Sequence, residues 1–234
     1  MIDLHIEKQY KDFKIIMSYA CREIGVTALV GRSGSGKTSV INMIAGLMHP
    51  DRGHICIDGR TVFDSEKSIN TAAEKRRFGY VFQDGRLFPH LSVMSNLTYG
   101  MKLIPKAERY LETDQIVDLL DLSGLINRRP ARLSGGEKQR VAMGRALLTS
   151  PSVLLMDEPL ASLDAARKNE VLPFIKKLST DLSIPVLYVS HSMEEIRSIA
   201  RRVMVLNNGQ LRFAGKTEQI IQQEGFSHEA GADV

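Results

Sequence analysis

The stretch GRSGSGKT, residues 31–38, has residue types that could hold a phosphate chain. It fits the pattern G-x-x-x-x-G-K-[ST], in which glycines let the backbone wrap so that successive N–H groups point at the β-phosphate. Lys37 adds a positive charge for the phosphate oxygens, and the Thr38 hydroxyl is placed to ligate Mg²⁺. The predicted nucleotide-binding residues are Gly31, Arg32, Ser33, Gly34, Ser35, Gly36, Lys37, Thr38 and Ser39.

Two adjacent acids, Asp157 and Glu158, end the apolar run of VLLMDEP. One carboxylate at such a place can hold Mg²⁺, and the other can take a proton from an attacking water. We assign Asp157 to the metal and Glu158 to the general base. The alternative is an acidic turn that solubilises a strand end, and the phosphate loop upstream disfavours it.

Three further polar residues follow or neighbour predicted strands. Gln83 comes at the end of FGYVFQ, and its amide could touch Mg²⁺ or the attacking water. His191 follows VLYVS and could donate a hydrogen bond to a γ-phosphate oxygen. Taken alone, each is explained as well by a solvated side chain, and so is Asp164 in the stretch SLD.

The stretch LSGGEKQR, residues 133–140, predicts a second helix end that attracts anions. Free backbone N–H groups at a helix N-terminus bind phosphate. Ser134 and Glu137 also have the spacing of a capping box, so a plain helix start is the alternative. A cap does not need Gly135 and Gly136, which lower helix stability. We therefore expect that something approaches this backbone closely.

Strand-like runs alternate with helical patterns, which predicts a mostly parallel sheet covered by helices on both faces. Predicted strands are MIDLHIEK, GVTALVG, GHICIDGR, RRFGYVFQ (Phe78 to Phe82), VLLMDEP and PVLYVSH, and VMVLNNGQLRF predicts a hairpin. Ligands of such sheets bind at the carboxyl ends of the strands, where the motifs fall.

The helical patterns carry three finer expectations. Val40, Ile41, Ile44 and Leu47 share one face of a helix after the phosphate loop, and Pro173 should kink a later helix. Residues 87–150 show helices and loops without a strand, which predicts a helical subdomain. We expect the tail, residues 227–234, to be frayed.

Composition excludes several classes of protein. The 234 residues are 43% hydrophobic and 25% charged, which is typical of a soluble globular protein. The net charge of +4 is scattered, which favours a solvated surface over a nucleic-acid interface. Cys21 and Cys56 form no CxxC pair, which favours a reducing compartment. No apolar run approaches the ~20 residues of a membrane helix, and the charged start is no signal peptide.

Taken in order, GRSGSGKT, the glutamine of YVFQ, LSGGEKQR, VLLMDEP, SLD and SH resemble the ATP-binding cassette (ABC) ATPases of transporters. The resemblance covers nearly the whole chain, and LSGGE is highly specific to that family. It implies an α/β P-loop NTPase over residues 1–234, with a mostly parallel sheet core, a small antiparallel β subdomain and a helical subdomain. It also implies ATP and Mg²⁺ as cofactors.

The resemblance implies that two copies pack head to tail, with each ATP between residues 31–38 of one and residues 134–136 of the other. It assigns Gln83 as a metal contact and sensor, His191 as a switch in catalysis and Asp164 as a contact across the dimer. An aromatic near the first strand would stack on adenine, and we favour Tyr10 over Phe13.

The implied partners are integral membrane permease subunits and, through them, a periplasmic or surface substrate-binding protein, with no nucleic acid. The implied location is the cytoplasmic face of the inner membrane. The loop DGRLFPHLSV has two interpretations, a small satellite core or the edge of a groove that receives a helix of the membrane subunit.

Longer stretches, EKRRFGYVFQDGRLFPHLSV and LLMDEPLASLD, look like the ATPase subunits of bacterial molybdate importers. Such proteins commonly continue into a C-terminal oxyanion-binding β domain, which this sequence lacks where it stops at Val234. Two explanations are open: the sequence is truncated, or this member lacks that regulation. Alternatives are an importer of sulfate, iron, polyamine or sugar, a soluble ABC ATPase that acts on nucleic acid, and a P-loop kinase. A kinase would not need residues 134–136.

Overall fold

One sheet of eleven strands runs through the part of the chain that this computed structural model describes, residues 2–221. The strands are Ile2–Gln9 (β1), Lys14–Cys21 (β2), Val26–Val30 (β3), Arg52–Ile57 (β4), Arg60–Asp64 (β5), Ile69–Asn70 (β6), Phe78–Val81 (β7), Val153–Asp157 (β8), Val186–Val189 (β9), Arg202–Asn207 (β10) and Gln210–Lys216 (β11). Their order across the sheet is β6-β5-β4-β1-β2-β11-β10-β3-β9-β8-β7. The predicted fraying of residues 227–234 concerns positions outside the described residues.

Strand direction divides this sheet into two parts. Strands β10, β3, β9, β8 and β7 pair in parallel, and β11 forms the predicted hairpin with β10 around Asn208 and Gly209. Strands β1, β2, β4, β5 and β6 pair antiparallel, and β2 meets β11 to join the two parts. This arrangement confirms the predicted α/β class with a parallel core, and the antiparallel part beside it has as many strands as the core.

Three strands of the antiparallel part, β2, β5 and β6, are missing from the sequence prediction. In β2 buried and outward-facing side chains alternate, as a strand with one covered face requires. Ile16 is an outward position between buried Ile15 and Met17, so three apolar residues in a row conceal the alternation. The strand β7 ends at Val81, one position before the predicted end at Phe82.

Helices fill the connections between strands. They are Lys37–Ala45 (α1), Ala73–Arg76 (α2), Val93–Met101 (α3), Thr113–Leu119 (α4), Gly135–Leu147 (α5), Ala165–Thr180 (α6), Met193–Ile199 (α7) and Thr217–Ile221 (α8), with short 3₁₀ turns at Lys106–Glu108, Ser123–Leu125 and Pro130–Arg132. Between β7 and β8 every regular element that the structure describes is helical. Pro173 lies inside α6, which runs on to Thr180, so this proline does not end the helix.

One residue of the predicted helical face, Leu47, lies outside the helix. Gly46 ends α1 in a left-handed backbone conformation, φ 82°, which glycine adopts without steric cost. Leu47 follows this break in the helix, so it does not share the buried face, and it is 54% exposed. The other three residues of the predicted face, Val40, Ile41 and Ile44, are buried as expected.

Apolar packing on both faces of the sheet fixes where β8 ends. Val153 and Leu155 pack with α1 on one face, whereas Leu154 and Met156 pack with α5 and α6 on the other. All four side chains are fully buried, which explains the unbroken apolar run VLLM. A strand held from both sides presents its next residue, Asp157, at a defined place.

Arg76 is a fully buried charge that ties α1 to the antiparallel part. Its Nη1 donates to the carbonyl oxygens of Met43 (2.9 Å) and Ile44 (2.7 Å), and its Nε donates to Thr71 O (2.8 Å). Helix-end carbonyls lack partners within the helix and carry partial negative charge, so a guanidinium suits them. Burial lowers the pKa of Arg76, yet an arginine stays protonated in proteins.

We expect Arg76→Met to lower the free energy of unfolding by roughly 3 kcal/mol, because buried carbonyls lose charge-assisted partners. Its neighbour provides a matched control: Arg77 pairs with Glu108 at the surface, so Arg77→Met should cost under about 1 kcal/mol. Urea denaturation of the two variants measures both values. Equal losses would contradict the capping role of Arg76.

Candidate functional site

The phosphate loop connects β3 to α1 and is shaped by its lysine. Nζ of Lys37 donates to the carbonyl oxygens of Gly31 (2.7 Å) and Arg32 (3.0 Å), so the ammonium folds the loop around itself. Burial lowers the pKa of Lys37, while the charges of Glu158 and Asp157 act in the opposite direction. The carboxylates therefore lie close enough to favour the charged ammonium.

Two glycines of this loop are required by geometry. A Cβ at Gly31 would lie 2.1 Å from the carbonyl oxygen of Leu206, and Gly36 caps α1 with φ 103°. No L-residue fits the first place, and few adopt the second conformation. The N-terminus of α1 is left with free N–H groups facing the loop, which suits a phosphate.

A cleft of about 470 Å³ opens above the loop. Its lining residues are Tyr10, Phe13, Ser33, Gly34, Gly36, Lys37, Thr38, Ser39 and Glu158. Both aromatic candidates for stacking line it, with ring centroids 6.0 Å apart. The Tyr10 hydroxyl donates to Sδ of Met48 (3.0 Å), and Phe13 lies beside Gly36. A larger groove of about 950 Å³ lies on the antiparallel part, away from every predicted motif.

Asp157 and Thr38, both predicted metal residues, lie together. The Thr38 hydroxyl donates to Oδ1 of Asp157 (3.3 Å), which joins the end of β8 to the start of α1. Burial raises the pKa of Asp157, and the nearby Glu158 carboxylate raises it further. Within residues 2–221 no group of three His, Cys, Asp or Glu side chains is arranged to hold a metal.

Tyr80 completes this corner, and the sequence analysis missed it. Its hydroxyl lies 2.9 Å from Oδ1 of Asn42 on α1 and 3.4 Å from Oδ2 of Asp157. Burial, with the charge of Asp157, raises the pKa of Tyr80, so the phenol is neutral and can donate. The sequence carries no signal for this role, because the pairing of Tyr80 with Leu155 on the adjacent strand β8 is known only from the fold.

Glu158, the predicted base, and His191, the predicted switch, lie together. Nδ1 of His191 lies 3.2 Å from Oε2 of Glu158. Glu158 has a left-handed backbone, φ 45°, which costs a non-glycine residue roughly 1–2 kcal/mol. Its N–H donates to Val189 O (3.0 Å), so the end of β9 holds this conformation. Such strain is concentrated at functional sites, where surrounding structure maintains it.

The second predicted anion-binding helix end is present. Ser134 caps α5, and the reciprocal hydrogen bonds with Glu137 form the predicted capping box. Packing within the chain favours glycine at position 135, because an added Cβ would lie 2.6 Å from Cδ2 of Leu163. At Gly136 the nearest atom is Cγ2 of Val171 at 3.4 Å, an ordinary contact. Packing thus explains one of the two glycines, which the sequence analysis attributed jointly to an approaching group.

Helix α5 also holds the segment that follows Gln83. Nε2 of Gln139 donates to Gln83 O (2.8 Å), and Arg145 donates to Gly85 O (2.8 Å) and Arg86 O (2.7 Å). Gln83 lies beyond the end of β7 and is exposed. Sequence patterns did not indicate this clamp, because its bonds go to backbone oxygens, which carry no residue-type signal.

The remaining predicted residue, Asp164, caps α6. Its carboxylate accepts from the N–H of Arg167 (3.0 Å), and its side chain is exposed. A cap explains the residue without a partner, although the exposed position leaves the carboxylate accessible. None of the helices in the described part of the chain is long and apolar enough to cross a membrane.

Comparison with known proteins gives consistent matches. Two curated relatives are named molybdenum import ATP-binding protein ModC. The protein from Rhodospirillum rubrum is 56% identical over 221 residues, covering 94% of this chain and 60% of that protein. The protein from Paramagnetospirillum magneticum is 53% identical over 239 residues, covering 100% of this chain and 66% of that protein. The chain therefore spans less than two thirds of the length of these relatives.

Solved structures agree in fold. An ATP-binding cassette described as a dimer in a post-hydrolysis state with ADP and phosphate superposes with a TM-score of 0.75 at 26% identity, over 93% of this chain and 99% of that one. The protein cbiO1 from Clostridium perfringens gives a TM-score of 0.81 at 24% identity, over 95% and 90%. The family model for the ABC transporter matches residues 16–161, and the chain belongs to that family.

Proposed function

We propose that this chain is the ATP-hydrolysing, energy-coupling subunit of an ABC importer for molybdate. The observation that carries the proposal is the joint presence of two phosphate-seeking helix ends, at Lys37 and at Ser134, with the paired acids Asp157 and Glu158 at the first. The ModC relatives support molybdate as the cargo. Importers of sulfate, iron, polyamine or sugar are the alternatives.

In this proposal the cleft above residues 31–39 takes ATP. The N-terminus of α1 and Lys37 bind the phosphates, and Tyr10 or Phe13 stacks on adenine. Thr38 and Asp157 offer oxygen ligands, which suit Mg²⁺, and Gln83 offers another. When bound, the ion would neutralise charge on the phosphate oxygens. Because burial and Glu158 raise the pKa of Asp157, a cation there also favours its ionised form.

Hydrolysis needs a base and a group that stabilises the γ-phosphate. Glu158 takes the proton of the attacking water, and His191 donates to a γ-phosphate oxygen. Their separation of 3.2 Å lets the two side chains orient one another before the nucleotide arrives. The left-handed backbone of Glu158 keeps its carboxylate in one place.

The second site on the chain serves a second copy. Ser134 and Gly136 at the start of α5 would face the γ-phosphate bound by the other copy, and Asp164 would contact it across the interface. ATP then lies between two copies packed head to tail. The dimeric solved cassette supports assembly of this kind.

The membrane permease would dock beside Gln83. Residues 83–91 are held through their backbone by α5 and by Asn96 of α3, which leaves Gln83 and His90 exposed. Phe88 is half-buried against Tyr99, with centroids 4.5 Å apart, and Tyr99 is 50% exposed. This apolar surface suits a helix of a permease subunit. The permease in turn would receive the cargo from a substrate-binding protein. The chain would then act at the cytoplasmic face of the membrane.

The proposal is tested with the subunit copurified with its permease and reconstituted in liposomes. Binding protein loaded with molybdate should raise ATP hydrolysis, whereas sulfate-loaded protein should not. Glu158→Gln should lower this rate by roughly 10²–10⁴-fold while ATP still binds, because the amide cannot take the proton. Stimulation by sulfate alone, or no associated membrane protein, would favour the alternatives.

Tyr80→Phe should weaken the Mg²⁺ dependence of nucleotide binding. Loss of the hydroxyl frees Asp157 to turn, and second-sphere changes of this kind cost roughly 10-fold in metal affinity. A fluorescent ATP analogue, titrated with Mg²⁺ and again in EDTA, measures the effect, and affinity in EDTA should stay unchanged. Tyr110→Phe is the control, since that hydroxyl donates to Pro151 O away from the cleft. An unchanged Mg²⁺ requirement in Tyr80→Phe would exclude the role.

The shared site is tested by Ser134→Asp against Ser134→Asn. Both residues cap a helix as well as serine, so the variants differ in charge alone. Repulsion between a carboxylate and a desolvated γ-phosphate costs roughly several kcal/mol. Ser134→Asp should therefore be inactive, and Ser134→Asn should be active. Mixing Ser134→Asp with Lys37→Ala should restore part of the activity. In a mixed dimer both changes fall at one ATP site, and the other site combines an unchanged phosphate loop with an unchanged Ser134. Equal activity of the Asp and Asn variants would refute the head-to-tail site.

A further inference from the structure

Glu195 on α7 is a buried carboxylate for which the proposed mechanism has no use. It is 4% exposed. Its Oε2 accepts from the hydroxyls of Tyr188 (2.7 Å) and Ser190 (2.7 Å), and its Oε1 lies 2.9 Å from Nζ of Lys168 on α6. A carboxylate so buried needs partners of this number and charge. The neutral form of Tyr188 is favoured, because burial and the charge of Glu195 raise its pKa.

One of these partners leads to His191. Oγ of Ser190 donates to Glu195 and accepts from the N–H of Ser192 (3.0 Å). The two residues that flank His191 in sequence are therefore bonded to one another, and the bond is anchored on a buried charge. Ser192 in turn caps α7 by accepting from the N–H of Glu195 (3.4 Å), which closes the ring.

The His191 side chain itself has little to hold it. It is 59% exposed, and its Nδ1 lies 3.2 Å from Oε2 of Glu158. An exposed imidazole on a free backbone would sample several orientations, and orientation is what a donor to a transferring phosphate needs. The fixed turn at residues 190–192 supplies it.

We propose that Ser190, anchored by Glu195, is the positioning residue that holds the backbone at His191 so that the imidazole meets Glu158. This inference rests on the proposed role of His191 in hydrolysis. Ser190 touches neither nucleotide nor water in this scheme, and it acts only through the turn. Tyr188 shares the same carboxylate oxygen but makes no bond to the turn, so it serves as a matched control.

The experiment compares Ser190→Ala with Tyr188→Phe in steady-state ATP hydrolysis by the permease complex. Each variant deletes one hydroxyl that donates to Glu195. Ser190→Ala should lower kcat by roughly 10-fold, because the imidazole of His191 is no longer held in position. The KM for ATP should stay nearly unchanged, because the groups that bind ATP are not affected. Tyr188→Phe should keep kcat within about 2-fold. Ser190→Thr, which retains the hydroxyl, should restore the rate. If Ser190→Ala does not fold, Ser190→Cys replaces it, since a thiol is a weak donor and acceptor.

A double-mutant cycle separates positioning from general damage. In a His191→Ala background, Ser190→Ala should have no further effect on kcat, since the residue that it positions is absent. Additive losses of kcat in the double variant, or equal losses of kcat in Ser190→Ala and Tyr188→Phe, would overturn this inference. Neither result would contradict the proposed function. A wild-type kcat in His191→Ala would instead remove His191 from the proposed mechanism, so the two failures are distinguishable.

Discussion

The buried ammonium of Lys37 is the interaction on which the site depends. Its Nζ lies 2.7 Å from Gly31 O and 3.0 Å from Arg32 O, and these two bonds hold the start of the loop against the first residue of α1. A buried cation needs compensating charge, and Asp157 and Glu158 at the end of β8 provide it. Lys37 at the start of α1 is therefore held by carbonyl oxygens of the loop and stabilised by the carboxylates at the end of β8, so the three elements depend on one another.

Helix α5 links the two surfaces to which the proposed function assigns different partners. Its first turn presents Ser134, while Gln139 and Arg145 farther along grip the backbone after Gln83. A helix is a stiff rod, so a displacement at the Gln83 end moves the Ser134 end by a similar amount. A permease docked on residues 83–91 could in this way change how a second copy meets the nucleotide. The clamp uses backbone oxygens, so the exposed side chains of Gln83 and His90 take no part in it.

Sequence patterns predicted the parallel core well because buried parallel strands are continuous apolar runs with motifs at their ends. The order β3, loop, α1 and the acids after β8 follow from that rule. The antiparallel part was predicted poorly, since Ile16 breaks the alternation of β2. Tyr80, Gln139, Ser190 and Glu195 escaped notice for another reason: each acts through a neighbour brought close only by folding. A residue of ordinary type gives no signal until its partner is known.

The same distinction applies to the two glycines of LSGGEKQR. Sequence alone treats them as one feature, but the fold separates them: a Cβ at Gly135 would lie 2.6 Å from Cδ2 of Leu163 and would force that side chain to shift, whereas a Cβ at Gly136 would meet only an ordinary contact. Within residues 2–221, the nearest atom to a Cβ at Gly136 is Cγ2 of Val171 at 3.4 Å, which does not by itself require a glycine. Ser134 is exposed beside it and already satisfies its cap. In this structure Gly136 is buried and Gly135 is half-buried, so the exposed Ser134 and the first-turn N–H groups of the helix are what this end offers to a phosphate on a second copy.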